Sequence, residues 1–424
     1  MSLKQSISDY IRRGETDTQK LGLEVEHFVI NEKGIQIDFH TISGLIKEVG
    51  DSLDAEIIYM DGFPVGYTTS EYSTSLEPSC QFEISINPYS SIADIRRVYE
   101  KFIDLWIPVL ADKGYTFVVK GNLPLVELGK IQPDDIALSP KRRYIYMDEY
   151  FKTSGKYGKY MMRASGSTQI SIDYKSEEDM VRKLRLLQKI SPILMIMMEN
   201  KSDPGSTLPG VPDKPHLLRT QQWDDIDPDR TGFVPHSFDA DFGYDKMADV
   251  IYNTPLILFT DNGKTTGVGS KTAGDLVKEG IIDENNLEPD REKRIIEHVM
   301  SMGFFHFRVK NYIEIRIADA VPLDKALGYV ALIKGIIYSD SAVTLLSKEL
   351  EYIKDAAGIQ EAVERIERDG FDAVVYNGKT AREWADHLTG VASGHLDEEE
   401  KEYLNHVRAV RVHGKASDNG QRYA

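Results

Sequence analysis

The chain holds one cysteine, Cys80, in 424 residues. That excludes an intramolecular disulfide and any multi-cysteine zinc site. Basic residues are also short: 51 Lys and Arg against 68 Asp and Glu leave a net charge of −17. Nonspecific nucleic-acid binding needs a basic surface, so no nucleic-acid partner is expected. Long apolar runs are missing as well. The most apolar, Ile193-Leu194-Met195-Ile196-Met197-Met198, is far short of a membrane span and reads as helical core. The opening MSLKQSISDYIRRGETD has no apolar stretch of the secretory kind, so a soluble, cytoplasmic protein without a membrane partner is expected. There is no internal repeat, and the ten histidines form no HExxH or other ligand spacing.

What is present suffices for a large core: 41% of residues are hydrophobic and 28% charged. A short helix is expected from about Ser2 to Arg13. A strand follows over Leu21–Ile30, then a turn at Asn31-Glu32-Lys33-Gly34 and a returning strand through Phe39. Apolar residues at helical spacing mark Ser91–Lys113, and a second helix runs from Ser176 to about Glu199. Lys201–Asp229 reads as a long loop, and Asp261-Asn262-Gly263 as a hairpin turn. Residues 1–345 are expected to form the main domain and 346–424 a charged helical extension, frayed over Ser417–Ala424. Strands and helices mix without regular β-α-β alternation, which favours an α+β fold.

Four segments alternate strictly. In Gly22–Phe28, Glu24 and Glu26 share one side; in Gln81–Asn87, Gln81, Glu83, Ser85 and Asn87 do. Ser167–Asp173 places Ser167, Gln169, Ser171 and Asp173 together. Arg308–Ile317, read as one strand, aligns Arg308, Lys310, Tyr312, Glu314 and Arg316. A single such strand is commonly a sheet with one wet face. Four of them carry a repeated propensity penalty, because Glu, Asn and Asp are disfavoured on strands. The polar faces are therefore expected to line a site, where clustered carboxylates stay ionised only if cations hold them. Magnesium takes oxygen ligands and shares carboxylates with phosphates, and Lys310 and Arg316 are placed as clamps for a transferring phosphoryl group.

Two motifs are rejected. Gly263-Lys264-Thr265 lacks the first glycine of a P-loop, since Leu258 stands there. Glu77 and Glu83 as a glycosidase pair would need carboxyls within about 10 Å. Pro78 can bend the chain enough for that, but the surrounding Arg and Lys do not suit glycoside chemistry.

Five ordered blocks resemble the plant and proteobacterial type of glutamate–cysteine ligase. Gly22-Leu23-Glu24-Val25-Glu26 is similar to that family's G-x-E-x-E, and Ser75–Glu83 (SLEPSCQFE) to S-L-E-P-G-G-Q-F-E. Met161-Met162-Arg163 with Ser167-Thr168-Gln169 resembles M-M-x-R-T…Q. Arg219–Gly232 is similar to M-R-S-x-x-W-x-D-x-D-x-x-R-T-G, and Arg308–Asp319 to R-x-K-x-Y-x-E-x-R-x-A-D. Ser79-Cys80 replaces a double glycine and Ile86-Asn87 a Gly-Ala pair, so the acceptor pocket is expected to differ there.

The resemblance implies a curved, mainly antiparallel sheet of the glutamine-synthetase-like kind, a funnel with helices on its outer face. It implies an ATP- and magnesium-dependent ligase joining the γ-carboxylate of glutamate to the amine of cysteine through a γ-glutamyl phosphate, the first step of glutathione synthesis. The alternatives are another amine acceptor, a silent binding protein, or a phosphotransferase. On this reading Glu24, Glu77, Glu83 and Glu314, with Glu26 and Gln169, hold magnesium. Lys310 and Arg316 contact ATP, and Arg163, Arg219 and Trp223 bind substrate. One cysteine cannot form the regulatory disulfide of the plant enzymes.

Overall fold

The alternating segments become strands of one open antiparallel sheet. The computed structural model describes residues 2–408, so the expected fraying of Ser417–Ala424 lies outside the described residues. The strands are β1 (Leu21–Asn31), β2 (Glu56–Met60), β3 (Phe63–Thr68), β4 (Tyr72–Leu76), β5 (Phe82–Tyr89), β6 (Tyr115–Val118) and β7 (Ser167–Ile172). Then follow β8 (Ile257–Asp261), β9 (Lys264–Gly269), β10 (Phe307–Val309) and β11 (Ile313–Asp319). Among the described residues the main sheet has nine strands, in the order β10-β11-β7-β1-β5-β4-β3-β2, with β6 paired to the second half of β1. The mixture of helices with an open antiparallel sheet is the expected α+β class.

The apolar sides supply the core. Leu23, Val25, Ile84, Ile86, Ile170, Ile172, Ile313 and Ile315 are all buried, and the helices Ile92–Asp112, Glu177–Met197 and Leu323–Ile337 pack on that face. Ser2, Asp38 and Ser176 accept from backbone N–H groups at the starts of their helices, satisfying donors that the helices themselves leave open. Pro192 sits inside the helix Glu177–Met197, which also carries the buried run Ile193–Met197. Helices after residue 346 pack on Glu177–Met197 and Leu323–Ile337, and one hydrophobic cluster runs from Leu3 to Val407. Among the described residues no single helix is long and apolar enough to cross a membrane.

Asn262 and Gly263 have φ of 49° and 74°, the paired left-handed conformation that a two-residue β8–β9 turn requires. Three expectations need correction. The returning strand through Phe39 is only a single bridge, Ile30 to Gln36, because Asp38 caps a helix over Phe39–Ser52. The loop Lys201–Asp229 contains the helix Leu218–Asp224, which carries Arg219 and Trp223. Arg308–Ile317 is not one strand. It folds back as the β10–β11 hairpin, so Arg308 lies opposite Glu314 rather than along a strand from it.

Candidate active site

Strand register brings the polar residues together. Glu26 on β1 is opposite Glu83 on β5, which in turn is opposite Ser75 on β4. Glu24 is flanked by Ser85 on one side and Gln169 on β7 on the other. Glu314 follows beyond Ser171. Ser75 Oγ lies 3.3 Å from both Glu77 Oε1 and Glu83 Oε1, within reach to donate its one hydrogen to either, and so stands between the two carboxylates of the SLEPSCQFE segment.

These carboxylates repel one another. Burial first, then Glu24, Glu77 and Glu26, push the Glu83 carboxyl well above its ordinary range. Burial and Glu77 raise Glu26 to about 7, even though Arg219 and the Ser167 N–H favour its charge. Burial and Glu314 raise Glu24 to about 6. Four glutamates thus form an acidic patch whose negative charge is incompletely offset.

Glu314 differs. Burial raises its carboxyl, but Arg308, Lys310 and Arg316 outweigh that and hold it well below the usual range. Arg308 donates to both of its oxygens at 2.6 and 3.0 Å, Arg316 reaches one at 3.0 Å, and Lys310 the other at 3.3 Å. Glu314, expected as a metal ligand, has both carboxylate oxygens engaged by these cations. Gln169 is similarly engaged: its side-chain oxygen accepts from Arg316 at 2.6 Å. Lys310 and Arg316 stand together at the site, each tied to Glu314.

Arg219 and Trp223 lie beside that cluster. Arg219 donates to the carbonyl of Arg316 at 3.1 Å, and the guanidinium groups of Arg219 and Arg316 sit 5.2 and 5.9 Å from the Trp223 ring centroid. Arg219 Nε and Trp223 Nε1 are buried with no hydrogen-bond partner. Arg163 is not brought to this group: its guanidinium is taken by Asp148 and the carbonyl of Ile136.

Three contributors escaped the sequence reading as site residues. Arg308 grips Glu314 most fully and was legible as a member of the same alternating face. Lys141 donates to the carbonyl of Leu76, and burial lowers its ammonium to about 8. Tyr144 OH is 3.3 Å from Glu77 Oε2. Neither of these two belongs to a patterned strand.

Ser79 and Cys80 do not line the pocket, contrary to expectation. Both are buried, and Cys80 belongs to the hydrophobic core with φ of 66°. Ile86 and Asn87 do border a cleft of about 200 Å³ shared with Glu24, Ser85 and Tyr312. A larger cavity, about 590 Å³, is lined by Asp229, His236, Asp239 and Lys246 and contains none of the expected site residues. The carboxylates and cations of the four alternating segments converge at the polar face and not at this larger cavity.

The donor set of the acidic patch is all oxygen, which fits a hard divalent cation. Among the described residues, however, no three His, Cys, Asp or Glu side chains are already gathered as a metal group.

The model of glutamate–cysteine ligase family 2 matches residues 20–421. The chain belongs to this family. Its relatives include the chloroplastic glutamate–cysteine ligase of Medicago truncatula, 26% identical over 340 residues, covering 80% of this chain and 65% of the relative. The Arabidopsis thaliana enzyme is 27% identical over 328 residues, 77% and 61% respectively. The chain therefore spans somewhat under two thirds of the length of these curated relatives. Among solved structures, the Francisella tularensis glutamate–cysteine ligase in complex with AMP matches with a TM-score of 0.52 at 14% identity. The match covers 93% of this chain and 81% of that one, a likeness of fold. The cytoplasmic expectation is corrected: the curated family relatives are chloroplastic enzymes, and a polar opening segment does not determine the compartment.

Proposed function

We propose that the protein is an ATP- and magnesium-dependent ligase that joins the γ-carboxylate of L-glutamate to the amine of L-cysteine. Membership of the family supports the reaction class. The observation that carries the reading is the placement of four half-buried or buried glutamates beside the Arg308–Lys310–Arg316 cation cluster on one sheet face.

A carboxylate is a poor acyl donor, so it must first acquire a leaving group. The γ-carboxylate attacks the terminal phosphorus of ATP, releasing ADP and forming γ-glutamyl phosphate. The cysteine nitrogen then attacks the acyl carbon and phosphate departs. In this scheme Lys310 and Arg316, with Arg308, would face the transferring phosphoryl group, where fixed cations offset developing charge. Arg219 would take a substrate carboxylate with its guanidinium fork, against the wall formed by Trp223. Glu24, Glu26, Glu77 and Glu83 would hold magnesium, which supplies charge neutralisation at the phosphates. Gln169 would join them only by leaving Arg316.

The intermediate is tested by supplying glutamate with heavy oxygen in its γ-carboxylate. Transfer of one labelled oxygen to the released phosphate is expected. Release of unlabelled phosphate alongside amide would rule out the acyl phosphate.

A further inference from the structure

Arg219 and Trp223 ride on a helix whose entry is strained. Leu217, immediately before the helix Leu218–Asp224, has φ of 57° and ψ of 40°. A leucine keeps that left-handed conformation only where its surroundings over-determine it. Its N–H donates to Glu199 Oε1 at 2.7 Å, while Glu199 Oε2 lies 3.0 Å from His216 Nδ1. Gln221, one turn into the helix, donates through Nε2 to the carbonyls of Lys214 and His216 at 3.1 and 2.7 Å. Turn and helix are thereby tied into one body.

The other side of that turn is held by a late segment of the chain. The helix Ala356–Asp369 carries Glu367, whose side chain is 5% exposed. Its Oε2 accepts from Lys214 Nζ at 2.7 Å, and its backbone carbonyl accepts from His216 N at 3.1 Å. Just past the helix, Gly370 packs against the His216 imidazole, where a Cβ would stand 2.6 Å from Nε2. One residue thus grips both Lys214 and His216, by side chain and by backbone. A buried ion pair gives up hydration that its attraction barely repays, so it adds little net stability. What it supplies at this turn is a fixed geometry.

We propose that Glu367 is a positioning residue for substrate binding: it sets the Lys214–Leu217 turn and, through it, the placement of Arg219 and Trp223. This rests on the ligase reading, in which Arg219 takes a carboxylate of glutamate. It gives the helices after residue 346 a part in glutamate affinity, exerted through the turn alone. Without the Lys214–Glu367 pair the strained Leu217 relaxes, and the guanidinium fork shifts from its place. The phosphate-facing cations sit on β10, on β11 and between them, which the turn does not carry, so ATP binding is left as it was.

The test uses Glu367→Gln and Lys214→Met, with glutamate and ATP varied separately in initial-rate measurements. KM for glutamate should rise about tenfold in both, with kcat and KM for ATP within about twofold. Mere loss of folded protein would do the reverse, lowering kcat at an unchanged KM. The double variant should be no worse than either single one, since both remove the same contact. Backbone hydrogen exchange over residues 216–224 should quicken about fivefold or more in either variant, with β1 and β5 unchanged. An unchanged KM for glutamate, equal rises in both KM values, or unaltered exchange would overturn the role of Glu367 while leaving the ligase intact. A wild type that consumes no ATP with glutamate and any amine would overturn the ligase reading and this inference with it.

Discussion

Glu26 and Glu83 face each other directly across the β1–β5 pairing, both on the polar side of the sheet. Like charges opposite one another on neighbouring strands are destabilising. An arrangement that opposes folding in this way points to a ligand that compensates it.

That relationship has a pH signature. Glu24 and Glu26, raised to about 6 and 7 when folded, bind protons more tightly than in the unfolded chain. Their stabilising contribution is complete below about pH 4.5 and is lost as pH rises through 6 and 7. Magnesium should reverse the loss. Thermal melts are expected to show a magnesium-dependent rise in Tm at pH 7.5 that shrinks at pH 5, and Glu26→Gln should flatten this dependence.

Glu314 and Glu83 should respond oppositely to neutralisation. Glu314→Gln leaves three cations without their shared counter-charge and is expected to cost about 3–5 kcal/mol in denaturant unfolding. Glu83→Gln removes a repelled carboxylate, so the metal-free protein should be no less stable. Comparable destabilisation by both would contradict the division between an acidic patch and an anchored cation cluster.

Arg219→Lys keeps the charge and loses the planar fork. The expected result is a rise of about tenfold or more in KM for glutamate, with a smaller change in kcat, measured at saturating ATP and cysteine. Arg163→Lys should leave that KM unchanged, because Arg163 is committed to Asp148.

Cys80 should be inert. It is buried, and burial pushes its thiol up to about 12. A thiol reagent is expected to label no group in the native protein and one per chain after unfolding. Fast native labelling would show that the segment opens.

The alternating strands made much of this site legible. Period-two patterning fixes which residues share a side, so Glu24, Glu26, Glu83 and Gln169 could be grouped before any pairing was known. Pairing partners could not be read, because register depends on contacts distant in sequence. Hence the turn at Lys310–Tyr312, which returns Glu314 to Arg308, was not foreseen. Asp38 illustrates a local competition: a capping carboxylate ends the extended run and starts a helix where a strand was expected.

The most direct measurement incubates the protein with ATP, magnesium, glutamate and cysteine, following ADP release and product mass together. We expect γ-glutamylcysteine in step with ADP, strong preference for cysteine over other amines, and loss of both products in Glu83→Gln. No ATP consumption with any amine, with wild type indistinguishable from Glu83→Gln, would contradict a ligase.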